Sequence, residues 1–390
     1  MKIAPVFDRA WPSYAAAHGT ALTTAHHRAA RAIQQCRTAA LGGHVYACGD
    51  CRQQHFAWHS CHHRSCPQCG ARDQQAWAAA QEAKLLPVAY FMLTVTVPEE
   101  LRAFIYKRQT WFYDLFFAAV SEALRDLGHD PRHLGGETGF TAVLHTWTRD
   151  MQYHPHLHII LPGVALSADG QRLHRAKGRH YLFPKKILHE IFRNRIKKHL
   201  AQRDAEKQTR ELATVPPGVW TQPWCINIRA VGSGTAAVRY LARYVFKSAL
   251  SEGRLPGYTP DGRLRLKCQD SKTGAWRETA LTEHEFLRRW SLHVLPRGLV
   301  RVRHYGFLSA AAKRKRARLT AILSGTGSIP APAASAAAAT AAPAAKAPAP
   351  VPRCPCCGKD MIRRACIPRL SFIPGRPLNR APPVPATTAP

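Results

Sequence analysis

Tyr153-His154-Pro155-His156-Leu157-His158-Ile159-Ile160-Leu161-Pro162-Gly163 is an apolar run with histidines at alternate positions. Successive side chains of an extended strand point to opposite faces, so His156 and His158 share one face while Leu157 turns to the other. Two imidazoles side by side make a metal claw. His154 is a poor third ligand, because three alternate positions span roughly 13 Å of straight strand and Pro155 interrupts pairing there. Upstream, Phe140-Thr141-Ala142-Val143-Leu144-His145-Thr146-Trp147 reads as a second strand, with Arg149-Asp150-Met151 as the joining turn. A hairpin closing near Asp150 sets His145 across from His156, with about 5 Å between Cβ atoms. His145, His156 and His158 are therefore read as one three-imidazole site for a divalent ion. Ordinary histidines of a half-buried strand would explain any one of them alone; three converging on one face favour metal.

Around this hairpin lies a chain of 390 residues, long enough for two or three domains with a sizeable core. Its 56 Lys and Arg against 24 Asp and Glu give a formal charge of +32 and a pI near 10.3. Such charge calls for a polyanionic partner, and nucleic acid is the leading one, since phosphate neutralisation releases counterions. No apolar run reaches the 18 or so residues of a bilayer span, and Met1-Lys2-Ile3-Ala4-Pro5 lacks a signal-peptide core. The expectation is a cytoplasmic protein without membrane or small-molecule partners. In that compartment the 12 cysteines are thiolate ligands sooner than disulfides.

Cys48-Gly49-Asp50-Cys51 and Cys66-Pro67-Gln68-Cys69 are two Cys-x-x-Cys knuckles, and they predict a tetrahedral structural Zn²⁺ site from Cys48, Cys51, Cys66 and Cys69. Cys61 and the neighbouring His55, His59, His62 and His63 are possible substitutes within the cluster. Arg52, Arg64 and Arg72 would present charge to DNA, with pure scaffolding as the alternative. Cys354-Pro355-Cys356-Cys357 and Cys366 suggest a further knuckle, but its matching pair is incomplete.

Ahead of the cysteine knuckles Ala21 to Gln35 reads as a helix, and between them and the hairpin Tyr90 to Pro98 reads as a strand. Glu99 to Asp126 reads as amphipathic helices whose aromatics, Trp111, Phe112, Phe116 and Phe117, read as core at helical spacing, with stacking on unpaired bases as the alternative. Beyond the hairpin, Pro184 to Lys207 forms a basic helix and Trp224 to Val231 a strand. Gly232-Ser233-Gly234-Thr235 then opens a helix whose buried stripe is Val238, Leu241, Ala242 and Val245. Tyr240, Tyr244 and Lys247, at i, i+4 and i+7, lie on a separate face with Arg243 beside them. Tyrosine, with a pKa near 10, is a poor nucleophile, but a divalent cation and neighbouring positive charge favour its phenolate. Strands at Leu264 to Cys268 and Trp276 to Leu281, joined at Ser271-Lys272-Thr273-Gly274, and a capped helix from Thr282 follow. Lys313-Arg314-Lys315-Arg316 sits on a final helix, and Ser324 to Pro352 is an Ala/Pro-rich tether.

His156-Leu157-His158 resembles the histidine pair of the HUH endonucleases, and a histidine eleven residues earlier, as His145 is, is similar to the relaxase arrangement. The run from Cys36 to Tyr46 and Ser60-Cys61-His62-His63-Arg64-Ser65-Cys66-Pro67-Gln68-Cys69 resemble the zinc-binding head of IS91-family rolling-circle transposases, with Arg64-Ser65-Cys66 where that family has Arg-His-Cys. Tyr240-Leu241-Ala242-Arg243-Tyr244 resembles the family's paired-tyrosine motif, and His293 to Phe307 its closing segment, where Arg301 and Arg303 would meet DNA. The resemblance covers roughly residues 27 to 323.

The resemblance implies an α+β fold: an HUH-type antiparallel sheet with flanking helices, preceded by a small zinc-binding domain. The expected division is a helical and zinc-binding DNA-recognition domain at 1–85, a catalytic domain at 86–323, a linker at 324–352 and a Cys-containing, largely disordered tail at 353–390. It further implies Mg²⁺- or Mn²⁺-dependent cleavage and transfer of single-stranded DNA at transposon ends and target DNA. Tyr240 and Tyr244 would be the nucleophiles, and Lys247 and Arg243 would neutralise phosphate. The alternatives are a plasmid rolling-circle replication initiator or relaxase, and a non-catalytic zinc DNA-binding protein.

Overall fold

A computed structural model describes residues 1–178, 182–246, 249–270, 273–325 and 351–370. The chain opens with α1 (Ala4–His18) and α2 (Thr24–Gln35), whose first turn is closed by a reciprocal cap between Thr23 and His26. A hairpin of β1 (Gly43–Cys48) and β2 (Gln54–Trp58) follows. Next come α3 (Ala71–Glu82), β3 (Tyr90–Thr96), the short α4 (Arg102–Lys107) and α5 (Gln109–His129). The histidine hairpin is β4 (Phe140–Trp147) and β5 (Tyr153–Pro162), followed by the small ribbon β6 (Val164–Leu166) and β7 (Leu173–Arg175). Then α6 (Lys185–Lys207), β8 (Ile226–Ala230) and α7 (Thr235–Phe246) lead into a three-stranded sheet of β9 (Gly257–Tyr258), β10 (Leu264–Gln269) and β11 (Trp276–Leu281). The chain continues through α8 (Glu283–Ser291), β12 (Val302–Tyr305) and α9 (Lys313–Leu323) to β13 (Met361–Ile367).

These elements form two compact units. The first holds residues 1–69 together with the described residues 351–370, because β13 pairs antiparallel with β1 on the edge opposite β2. The division therefore falls near residue 70 instead of 85. The segment expected in a largely disordered tail supplies a strand, and residues 371–390 lie outside those described.

The second unit is built on a five-stranded antiparallel sheet in the order β12-β4-β5-β3-β8, which puts the histidine strand at its centre. Strand alternation sorts its residues between two faces. Leu93, Val95, Leu144, Leu157, Ile159 and Leu161 pack into the main core with Phe112, Phe116 and Phe117 of α5 and Phe192 of α6. The aromatics of α5 are thus core, as read from the sequence. On the other face Met92, Val143 and Ile160 meet Ala237, Val238, Leu241 and Val245 of α7. The predicted apolar stripe is what seats α7 on the sheet. Gly234 allows the close seat: its φ is +82°, and a Cβ there would come 2.8 Å from the Tyr90 ring. Gly70, at φ +90°, similarly lets the start of α3 approach the Phe246 carbonyl, and Arg239 of α7 forks onto Glu82 of α3 at 2.7 and 3.2 Å.

Candidate metal and strand-cleavage site

The hairpin closes in the register read from the sequence: His145 pairs with His156 and Val143 with His158. Between the His145–His156 and Trp147–Tyr153 pairs, β5 advances three residues against two on β4, a bulge at His154-Pro155 where proline costs no ladder bond. The imidazoles of His145, His156 and His158 offer ligand atoms that all lie within 4.8 Å of one another. His154 stays outside this set, its Nδ1 lying 3.0 Å from the Arg102 guanidinium.

All three imidazoles are buried. Burial is the largest cause depressing each pKa: His156 falls to about 4, and His145 and His158 are held well below the usual value, with the neighbouring imidazoles adding to the effect. At neutral pH the triad is uncharged, and a neutral imidazole can offer one nitrogen lone pair to a metal ion. The carbonyl of His154 accepts from Nδ1 of His156 at 2.6 Å, so that ring presents the lone pair of Nε2. Thr94 Oγ1 lies 3.0 Å from Nδ1 of His158 and fixes the second ring. Trp147 stacks on His145, with centroids 5.3 Å apart and planes at 15°. A neutral, oriented, three-nitrogen set fits a divalent ion that keeps positions open for other ligands.

Tyr240 of α7 faces this set, its ring meeting that of His158 edge-on with centroids 5.9 Å apart. Both belong to one open groove of about 630 Å³ that also takes in Arg149, Asp150, Arg243, Arg254, Trp276 and Arg277. Tyr244 follows one helical turn after Tyr240 on α7, and Lys247 lies outside the described residues. The structure thus brings the triad, Tyr240 and Arg243 together. It does not bring Arg303 there: that guanidinium lies on the α5 face, paired with Asp114 and 4.1 Å over the Phe117 ring. Arg301 turns inward and donates to the Val245 carbonyl, holding the last turn of α7. Sequence reading missed the groove's far wall, β10 and β11 with exposed Trp276. The turn residue Arg149 ties that wall to the histidine hairpin by donating to the Asp270 carbonyl at 3.0 Å.

The cysteines of the first unit group differently from the expected Cys48, Cys51, Cys66 and Cys69 set. All twelve in the chain are reduced, and eight form two quartets: Cys36, Cys61, Cys66 and Cys69, and Cys48, Cys51, Cys354 and Cys357. The reason is topological. Cys48 and Cys51 sit at the β1–β2 turn, while the loop after β2 carries Cys61 and the Cys66–Cys69 knuckle back to Cys36 at the end of α2. In the first quartet Cys69 Sγ is 3.6 Å from both Cys36 and Cys61 Sγ. Sulfurs about 2.3 Å from a central zinc stand a little under 4 Å apart, so the set fits that ion. Arg52 is exposed on the β1–β2 turn and Arg64 on the loop near Cys66. A separate basic pocket beside Cys61 is lined by Arg28, Arg31, His62 and Arg369.

Two family models match the chain: "Putative transposase" over residues 139–316 and "Transposase zinc-binding domain" over residues 6–97. A relative from Sinorhizobium fredii, named "Putative transposase y4qJ", is 37% identical over 325 residues, covering 79% of this chain and 80% of that one. The chain belongs to the IS91 family of transposases. The transposase for insertion sequence element IS801 of Pseudomonas savastanoi pv. phaseolicola is 28% identical over 294 residues, 70% of this transposase and 68% of its own length. No solved structure matches. As a transposase the chain is a DNA-cleaving enzyme with DNA as its substrate. Its Cys36, Cys61, Cys66 and Cys69 quartet lies inside the zinc-binding match and supports a structural zinc there. Among the described residues no helix is long and apolar enough to cross a membrane.

Proposed function

We propose that this transposase cuts and rejoins single-stranded DNA through a 5′-phosphotyrosine intermediate in rolling-circle transposition, with Tyr240 and Tyr244 as alternating nucleophiles. One observation carries the reading: the buried imidazole triad and Tyr240 line the same groove. His145, His156 and His158 would hold Mg²⁺ or Mn²⁺, and such an ion when bound supplies Lewis-acid polarisation of a scissile phosphate.

The chain's own residues do the remainder. A tyrosine phenol loses its proton and its oxygen attacks phosphorus in line. The bond from phosphorus to the 3′ oxygen breaks, that oxygen takes up a proton as a free 3′-hydroxyl, and the 5′ phosphate stays on tyrosine. The phosphodiester energy is conserved in the new ester, so a 3′-hydroxyl can reverse the step without ATP. A second tyrosine one turn away allows a second cut while the first strand is still held. Arg243, exposed at the groove, would neutralise phosphate there, and Lys247 is proposed for the same role.

The test is incubation with single-stranded oligonucleotides carrying element ends and Mg²⁺ or Mn²⁺, followed by a search for SDS-resistant adducts. The wild type should give adducts mapping to Tyr240 or Tyr244, and Tyr240→Phe with Tyr244→Phe together should remove them while zinc content stays the same. Adducts surviving in the double variant would overturn the assignment. DNA binding without any adduct would favour a non-catalytic zinc DNA-binding protein.

A further inference from the structure

We propose that Cys48, Cys51, Cys354 and Cys357 form a second zinc site, which staples the segment after the catalytic unit onto the sheet of the zinc-binding head. Cys354 and Cys357 lie beyond both matched regions, which end at residues 97 and 316. The second site does not rest on the strand-cleavage reading.

The geometry is that of a preformed four-thiolate cage. Cys48 Sγ lies 3.4 Å from Cys357 Sγ, and Cys51 Sγ lies 3.4 Å from Cys354 Sγ and 3.9 Å from Cys357 Sγ. These separations are far beyond the roughly 2 Å of a disulfide and close to the edges of a tetrahedron around a thiolate-bound zinc. Each side contributes a Cys-x-x-Cys turn. In the later one, Cys354-Pro355-Cys356-Cys357, Gly358 at φ +73° donates its N–H back to the Cys354 carbonyl at 2.9 Å, closing the knuckle. The incomplete matching pair seen in the sequence is thus completed by Cys48 and Cys51.

The surroundings match as well. The β1–β13 ladder pairs Cys48 with Met361, which delivers the two knuckles to the same end of the sheet. Lys359 Nζ bridges to Asp50 at 3.1 Å, adding one cation beside four sulfurs that together carry excess negative charge when metallated. Four thiolates with tetrahedral spacing select zinc or iron over hard oxygen-seeking ions, and zinc is the redox-inert choice for a structural clasp. Cys51 and Cys354 stand 303 residues apart in sequence, so the ion would join two parts of the head between which the whole catalytic region is inserted along the chain.

Full-length protein purified under reducing conditions should contain two zinc ions per chain by elemental analysis. Cys354→Ser with Cys357→Ser should contain one, and Cys36→Ser with Cys69→Ser should also contain one. In Co²⁺-substituted protein the thiolate charge-transfer absorption should fall by about half in the first double variant. A wild-type stoichiometry of one that the Cys354/Cys357 replacements leave unchanged would overturn the proposal, as would iron in place of zinc. Should that variant fail to fold, stepwise mercurial titration of the wild type decides alone. Eight thiols releasing two zinc ions support the site, and release of one ion only refutes it.

Discussion

Each imidazole of the triad has a second nitrogen to settle, and for two of them the chain settles it with a named oxygen. The His154 carbonyl does so for His156 and Thr94 Oγ1 for His158. Outer partners of metal-bound histidines typically contribute 10- to 100-fold in affinity or activity. Thr94→Val should therefore raise the Mn²⁺ concentration giving half-maximal adduct formation by roughly that factor, with little change in DNA affinity. An unchanged metal dependence would remove Thr94 from the site. The triad itself was legible because a strand period and a hairpin turn put three histidines on one face. Thr94 was not, since it reaches His158 from β3, 64 residues earlier. His293 makes a second residue-scale prediction. It is buried, and burial is the main cause lowering its pKa to about 4, with Nε2 donating to the Met151 carbonyl at 3.1 Å. The folded state thus resists a proton that the unfolded chain accepts near pH 6.5. This part of the stability is intact above pH 6.5, falls as pH drops toward 4, and levels off below it, by at most about 3 kcal/mol. Urea midpoints at pH 7, 6, 5 and 4 should show the decline, and His293→Gln should make it shallower, the remainder belonging to the buried His145, His156 and His158.

Among the elements, strands with one buried face announced themselves by alternation, and α7 by its apolar stripe. Phe140–Trp147 and Trp276–Leu281 have the bounds read from the sequence. What alternation cannot reveal is which sheet a strand joins. β10 and β11 form their own sheet with β9, apart from the five-stranded one, and their hairpin walls the groove. Trp276 at its tip is 63% exposed, a large apolar side chain turned to solvent beside the triad's groove. That exposure fits a stacking platform for an unpaired base, a contact worth about 1–3 kcal/mol by alanine substitution. Trp276→Ala should weaken single-strand binding by about 5- to 150-fold while leaving the circular dichroism spectrum unchanged. Equal affinity would show that the hairpin bounds the groove without touching DNA.

Over the whole molecule, the charge of +32 announced a polyanionic partner, but charge carries no address, and composition could not say which cations face the strand. The pairing of Cys48 and Cys51 with Cys354 and Cys357 is equally hidden in the sequence, where the nearest knuckles read as partners; only the pairing of β13 with β1 brings the distant cysteines together. For the cations the structure narrows the choice. Arg303 is engaged by Asp114 and Phe117, whereas Arg243 and Arg277 line the groove and are exposed. Each phosphate neutralised on a single strand adds about 0.7 to the slope of log affinity against log salt. Arg243→Gln with Arg277→Gln should therefore weaken binding across oligonucleotide sequences and lower that slope by about 1.4. Arg303→Gln should leave the slope where it was and instead lower the thermal midpoint, since it removes a cation packed between a carboxylate and an aromatic ring. The reverse outcome, a salt slope that follows Arg303 and ignores the groove arginines, would move the DNA path to the opposite face of the sheet, away from both the imidazoles and Tyr240.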